Sequence, residues 1–163
     1  MNRDIASNNL LVFVLEDQQY GLHLSTVEGV IRAAEVTRLP RAPEIVTGLL
    51  NVRGQIYPVV NTRRRFHLPE RNIDPGDRFV LAHTPKFRVA LAVDQIEGII
   101  TPSESKVIRT VTIDPGLKQI DGVVKGVVKL ESGILLIYDL EKLLSSEKAE
   151  ILEQALEGAI TNR

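Results

Sequence analysis

The sequence predicts an all-β protein built from two small barrels packed together, with a C-terminal helix, and three observations lead there. Apolar residues fall in short runs or strict alternation, the pattern of strands. Helical spacing is sustained only near the C-terminus. Segments of the first half recur in the same order in the second.

Residues 1–9 are polar and read as a flexible tail. Leu10–Leu15 (LLVFVL) is a continuous apolar run bounded by polar residues, as in a strand buried on both faces. Asp17-Gln18-Gln19 is turn-like, and Tyr20, Leu22 and Leu24 then alternate with Gly21 and His23, so a second strand closes a hairpin with His23 on its solvent face. Pro43 and Gly48 suit the start and end of a short helix over Glu44–Thr47. Leu49–Val52 and Gln55–Val60 follow as strands about a turn at Arg53-Gly54. Pro58 argues for an edge or bulge because it removes a ladder donor. Asn61 can cap the helical turn after it. The turn NIDPGD (Asn72–Asp77) precedes strands at Phe79–Ala82, Val89–Val93 and Ile96–Thr101. Val123–Leu130 and Ile134–Tyr138 pair about Ser132-Gly133, and Asp139 caps Leu140–Leu144. Glu147–Ala159 carries its apolar residues at helical spacing, with Ser146 as cap. Few helical patterns lie between strands, so a parallel β-α-β architecture is not expected.

LHLSTVEGVI (Leu22–Ile31) returns 69 residues later as LAVDQIEGII (Leu91–Ile100). GLLNVRGQIYPVVNTRRRF (Gly48–Phe66) returns as GVVKLESGILLIYDLEKLL (Gly126–Leu144). A period of 70–78 residues is too long for a solenoid unit and suits two copies of a five-stranded barrel, which by closing removes its sheet edges. The subdomains fall at about 16–75 and 76–146 within a domain of residues 10–146, with exchange of strands at their ends left open; 147–163 form the helix and tail.

The chain has no cysteine, which excludes disulfides and thiolate metal sites and suits the cytoplasm. Apolar runs stop at six or seven residues, far short of the roughly 20 that span a bilayer. The net charge of −1 is uneven: residues 32–88 hold eleven Lys/Arg against five Asp/Glu. That basic centre suits an acidic partner, a solvated face or a nucleic-acid-binding barrel. Tyr57 and Phe66, the aromatics nearest to Arg63-Arg64-Arg65, do not make a base-stacking set, so nucleic acid is not expected and the arginine run reads as a solvated turn. His23, His67 and His83 stand at no metal-ligand spacing, and no P-loop, nucleophile elbow or dinucleotide fingerprint occurs. Glu28 and Glu97 sit at matched repeat positions, which explains their pairing without acid–base chemistry. No catalytic, cofactor or metal site is expected, and function belongs to surfaces.

These segments together resemble the CheW family of chemotaxis adaptors. LVFVLEDQQYGLHLSTVEGVI, RLPRAPEIVTGLLNVRGQIYPVVNTRRRF, VALAVDQIEGII and GVVKLESGILLIYDLEKLL carry the likeness over residues 10–146, most specifically at the N-x-R-G turn, Asn51–Gly54. The resemblance implies two five-stranded barrels of the Src-homology-3 type and a non-enzymatic, cofactor-free scaffold. Such a scaffold bridges the cytoplasmic tip of methyl-accepting chemotaxis receptors and the regulatory domain of a CheA-type histidine kinase, reaching membrane arrays only through partners. By matched position it implies receptor contacts at Val27, Arg53, Gly54, Ile96 and Ile99, with barrel core as the competing reading of Val27, Ile96 and Ile99. It implies kinase and ring contacts at Ile56, Tyr57, Arg109 and Ile113. The chain departs from the family pattern at Gly29, where the family commonly has Glu, and at Asn61-Thr62, where Asp-Leu is usual; Ser103–Leu117 also matches poorly. A divergent, non-flagellar kinase pathway therefore stands as the alternative output.

Overall fold

The structure is a computed structural model that describes residues 9–41, 44–103, 107–108 and 124–144. Eleven strands are described: β1 Leu10–Leu15, β2 Gln18–His23, β3 Val27–Arg32, β4 Val46–Val52, β5 Gln55–Val60, β6 Arg78–His83, β7 Arg88–Val93, β8 Gln95–Ile100, β9 Val107–Ile108, β10 Val124–Leu130 and β11 Gly133–Tyr138. A short 3₁₀ turn spans Leu24–Thr26, and single helical turns span Thr62–Arg65 and Leu140–Leu143. The expected helix over Glu147–Ala159 lies outside the described residues. No helix among the described residues is long and apolar enough to cross a membrane.

The strands form two sheets. One is ordered β8-β1-β2-β11-β10-β9, the other β3-β6-β7-β5-β4. Overlaid by the sequence repeat, the orders coincide: β1 corresponds to β6, β2 to β7, β4 to β10 and β5 to β11. Each sheet contains one parallel pairing, β2 with β11 and β5 with β7, at matching places. The six-stranded count of the first sheet comes from the two-residue β9, which pairs with Val127 and Val128. At the matching place in the second sheet a single bridge joins Thr37 to Leu49. This is the all-β fold of two small barrels expected from the sequence.

The division of the chain differs from the boundaries near 16–75 and 76–146. One compact unit holds the described residues up to Val27 and those from Gln95 to Leu143; the other holds Glu28–Asp94 together with Leu144. The cause is an exchange of third strands. β3, which follows the β1–β2 hairpin, lies beside β6, while β8, which follows β6–β7, lies beside β1.

Period-2 alternation builds each core. In the first sheet Leu10, Val12, Val128, Leu135 and Ile137 cluster, with Ile100 and Leu130 against them. In the second, Leu50, Tyr57, Val59, Phe79, Leu81 and Ala90 cluster, with Ile31, Val36 and Val52 among their neighbours. Leu11, Phe13, Val80 and Ala82, on the alternate faces, are buried as well, which is why the runs LLVFVL and FVLA are continuously apolar.

Several local expectations change. Strand β2 begins at Gln18, so the hairpin turn is Glu16-Asp17, and Leu24 has left the strand. His23 is half-buried rather than on an open face. No helix covers Glu44–Thr47: Val46–Gly48 belong to β4. Gly48 is required there because a Cβ would overlap the Thr37 carbonyl of the bridging segment, so its role is close approach and not helix termination. Pro58 lies in an interior strand, one residue before Val59 and Val60, the two that pair with β7.

Candidate functional site

The hairpin β4–β5 carries the most specific motif of the sequence. Val52 and Gln55 face each other across a two-residue loop. Both loop residues have positive φ, +52° at Arg53 and +86° at Gly54, the combination that matches the right-handed twist of the flanking strands. The Asn51 side chain closes the turn, its Oδ1 accepting from the Gly54 N–H at 2.9 Å. Arg53 is thereby held at an exposed tip, where its guanidinium takes no described hydrogen bond or ion pair. Asn61, at the far end of β5, caps Thr62–Arg65 by accepting from the Arg64 N–H, as its sequence position predicts.

Four elements of the same unit converge beside that tip. They are the start of β3, the start of β5, the end of β6 and the start of β7, with the turn Thr84–Phe87 between the last two. Glu28 is the hub. The Tyr57 hydroxyl donates to its Oε2 at 2.5 Å, Arg88 Nε donates to its Oε1 at 3.1 Å, and His83 Nδ1 stands 3.6 Å from the same Oε1. Arg88 also donates to Gln55 Oε1 at 3.0 Å, tying β7 to β5. Glu28, Gln55, Ile56, His83, Lys86 and Arg88 line an open cleft of about 620 Å³. The hydrogen bond from Tyr57, reinforced by Arg88 against the cost of burial, holds the Glu28 carboxyl below its ordinary range. Burial first, and the Glu28 bond next, push the Tyr57 phenol up.

Of the residues implied by the resemblance, Arg53, Gly54, Ile56 and Tyr57 therefore share one hairpin. Ile56 is half-buried at the cleft. Tyr57 is not a surface residue: its ring belongs to the core and its hydroxyl is committed to Glu28. Ile96 and Ile99 lie in the other unit, on β8. A spacing of three would set them on opposite faces of a regular strand, but Val12 faces Gly98 and Phe13 faces Ile96, leaving Glu97 as the extra residue of a β-bulge. Gly98, at φ +130°, supplies the bend. Ile96 and Ile99 thus stand opposite Phe13 and Leu11, on the alternate face from the Leu10–Val12 core; Ile96 is half-buried and Ile99 is 58% exposed. Val27 alternates with Gly29 and Ile31, and Ile31 packs on the core of its sheet. Arg109 and Ile113 lie outside the described residues.

The arginine run is not a solvated turn. Arg63 is buried, its Nη2 donating to both oxygens of Asp94 at 2.6 and 2.7 Å and its Nη1 to the Pro69 carbonyl. Arg71 joins Asp94 to Asp77, and the Asp77 carboxylate accepts from the Asp74 N–H, closing the Asp74–Asp77 turn. Burial is the largest single influence on Asp77 and opposes its charge, but the Arg71 bonds, the Asp74 N–H and the charges of Arg71 and Arg63 together outweigh it, and the carboxyl is lowered. Arg64 is engaged on the surface by Glu70 and Glu44. This network anchors the segment after the helical turn.

Sequence reasoning missed the Glu28 hub. The repeat aligns Glu28 with Glu97, but the residues matching Tyr57 and Arg88 are Leu135 and Gln19, so the bonding set is not duplicated. That mismatch inside the repeat was the available signal. Among the described residues no group of three or more His, Cys, Asp or Glu is placed to hold a metal ion.

Comparison with known proteins adds the family. Residues 9–148 match the model of the CheW-like domain. The chain is 29% identical over 147 residues to the chemotaxis protein CheW of Treponema pallidum, covering 88% of this chain and 85% of that one. It is 27% identical over 142 residues to the chemotaxis protein CheW of Bacillus subtilis, covering 86% and 89%. The crystal structure of the scaffolding protein TtCheW from Thermoanaerobacter tengcongensis superposes with a TM-score of 0.75 at 26% identity, over 87% of this chain and 95% of that one.

Proposed function

The chain belongs to the family of CheW-like domains, and from that premise we propose that it is a non-enzymatic adaptor coupling chemoreceptors to a CheA-type histidine kinase in chemotaxis-type signalling. The observation that carries the reading is the family match over residues 9–148, joined by likeness to a solved scaffolding protein along nearly its whole length. The surfaces support it. Arg53 at a rigid exposed tip and Ile56 beside a polar cleft offer binding chemistry. Ile99 presents an aliphatic side chain that a receptor helix could bury.

In this reading Arg53, Gly54, Ile96 and Ile99 serve the cytoplasmic receptor tip, and the Ile56 rim serves the regulatory domain of the kinase. The adaptor itself stays in the cytoplasm and reaches the membrane array through its partners. The test is calorimetric titration with the regulatory domain of a CheA-type kinase from the same organism. One-to-one binding at micromolar affinity or tighter is expected. Absence of heat at tens of micromolar, with both proteins folded, rejects the kinase half of the proposal.

A further inference from the structure

The rim around Ile56 contains a group that the structure leaves in an unusual position. His83 is the last residue of β6 and stands directly across from Arg88, the first residue of β7. Its Nδ1 is shielded from solvent, makes no hydrogen bond, and points toward the carboxylate of Glu28 at 3.6 Å. The rest of the side chain is open to solvent, 44% exposed, so protons reach the ring freely. A neutral imidazole with its proton on Nε2 turns a lone pair toward a carboxylate; an imidazolium turns an N–H toward it. Histidine is the side chain whose ordinary charge change falls between pH 5 and 8.

The charged groups facing His83 come from each neighbouring element. Strand β3 supplies Glu28, β7 supplies Arg88, and the turn Thr84–Phe87 supplies Lys86; β5 contributes the Tyr57 hydroxyl and the neutral Gln55. Among the described residues Glu28 is the sole carboxylate lining the cleft, and Tyr57 and Arg88 already occupy it. Any proton added at His83 is therefore felt first by Glu28 Oε1, the atom that also holds Arg88 Nε.

We infer that His83 and Glu28 form a proton-operated latch on this rim, through which lower pH makes the surface more positive and tightens its hold on an acidic segment of a partner. Protonated His83 competes with Arg88 for Glu28 Oε1. The guanidinium of Arg88, still bonded to Gln55, is then freer to pair outward beside Lys86 and Ile56. The partner half of this inference rests on the proposed docking of a kinase regulatory domain at the rim. The latch itself does not.

Two measurements separate them. In the isolated chain, nitrogen-detected NMR from pH 8 to pH 5 follows the His83 ring and the Arg88 Nε–H. The Arg88 signal is expected to move in step with the His83 ring, and in Glu28→Gln that movement of Arg88 is expected to vanish. An Arg88 signal indifferent to His83, or one that moves equally in Glu28→Gln, overturns the latch. Calorimetry with the kinase regulatory domain at pH 8 and pH 6 tests the consequence. Wild type is expected to bind about fivefold tighter at pH 6, at the lower end of ordinary coupling strengths, and His83→Gln to bind equally at both. A pH-independent wild-type affinity overturns the consequence. Failure to bind at either pH rejects the docking reading instead and leaves the NMR result to decide the latch.

Discussion

Replacing Tyr57 by Phe removes one atom and keeps the ring that packs among Leu50, Val59, Phe79 and Leu81. No cavity opens, so the change isolates the 2.5 Å hydrogen bond to Glu28. A hydrogen bond to a charged group is worth about 1.5–3 kcal/mol. Glu28 keeps Arg88 and its side chain is 25% exposed, so water replaces part of the loss, and a net cost of about 1 kcal/mol is expected. With a urea slope of about 2 kcal/mol/M, the midpoint falls by about 0.5 M. The loss has a predicted pH dependence. The Glu28 carboxyl is lowered from its ordinary 4.5, chiefly by Tyr57. A lowered carboxyl contributes stability above its unfolded-state value and loses it as pH falls through the folded-state value. The gap between wild type and Tyr57→Phe is therefore full at pH 7 and closes as Glu28 protonates below about pH 4.5. Urea titrations followed by circular dichroism at pH 7 and at stepwise lower pH measure it. A Glu28→Gln, Tyr57→Phe double-mutant cycle should return most of the same energy as coupling. An equal loss at every pH, or none at pH 7, refutes the assignment of Glu28 as the acceptor that matters.

The remaining predictions concern the frame around that site. Asp94→Ala takes from Arg63, 9% exposed in its side chain, the two carboxylate acceptors at 2.6 and 2.7 Å. Removing one partner of a buried pair costs about 3–5 kcal/mol, and because Arg71 can fall back on Asp77 the lower figure is expected in a urea or thermal melt. A Cβ added at Gly54 meets no atom within 4 Å, so the cost of Gly54→Ala is backbone strain at φ +86° alone, about 1–2 kcal/mol by the same assay. A neutral result there excludes the positive-φ turn. Arg53→Ala should leave the circular dichroism spectrum and melting unchanged while weakening binding to a receptor tip in a pull-down or array assay. Unfolding of this variant would mark Arg53 as structural.

Much of the fold was legible because it is local. Strand positions follow from alternation, the Asn51–Gly54 turn from a glycine between two apolar runs, and the Asn61 and Asp139 caps from short side chains that reach a backbone N–H three residues on. The repeat, visible as matched strings, corresponds to two sheets of matching strand order. The expectation of a helix at Glu44–Thr47 failed for a local reason as well: proline and glycine signal both helix ends and close backbone approaches, and only the Thr37 bridge tells which applies to Gly48.

By itself, then, the sequence determined the class, the strands, the turn that presents Arg53 and the family. Tertiary structure decided what depends on residues distant along the chain. Which sheet receives β3 and which receives β8 is a choice between two copies of nearly the same surface, and alternation within a strand is blind to it. Whether Arg63 is solvated or buried depends on Asp94, 31 residues away, and Glu28 acquires its role from Tyr57, His83 and Arg88, delivered by three other strands. The bulge that turns Ile96 and Ile99 to one face exists only in register with β1. Charge pairing and register are properties of the assembled sheets: their energies arise from groups within a few ångströms of one another, and a linear chain does not specify those separations until its strands have paired.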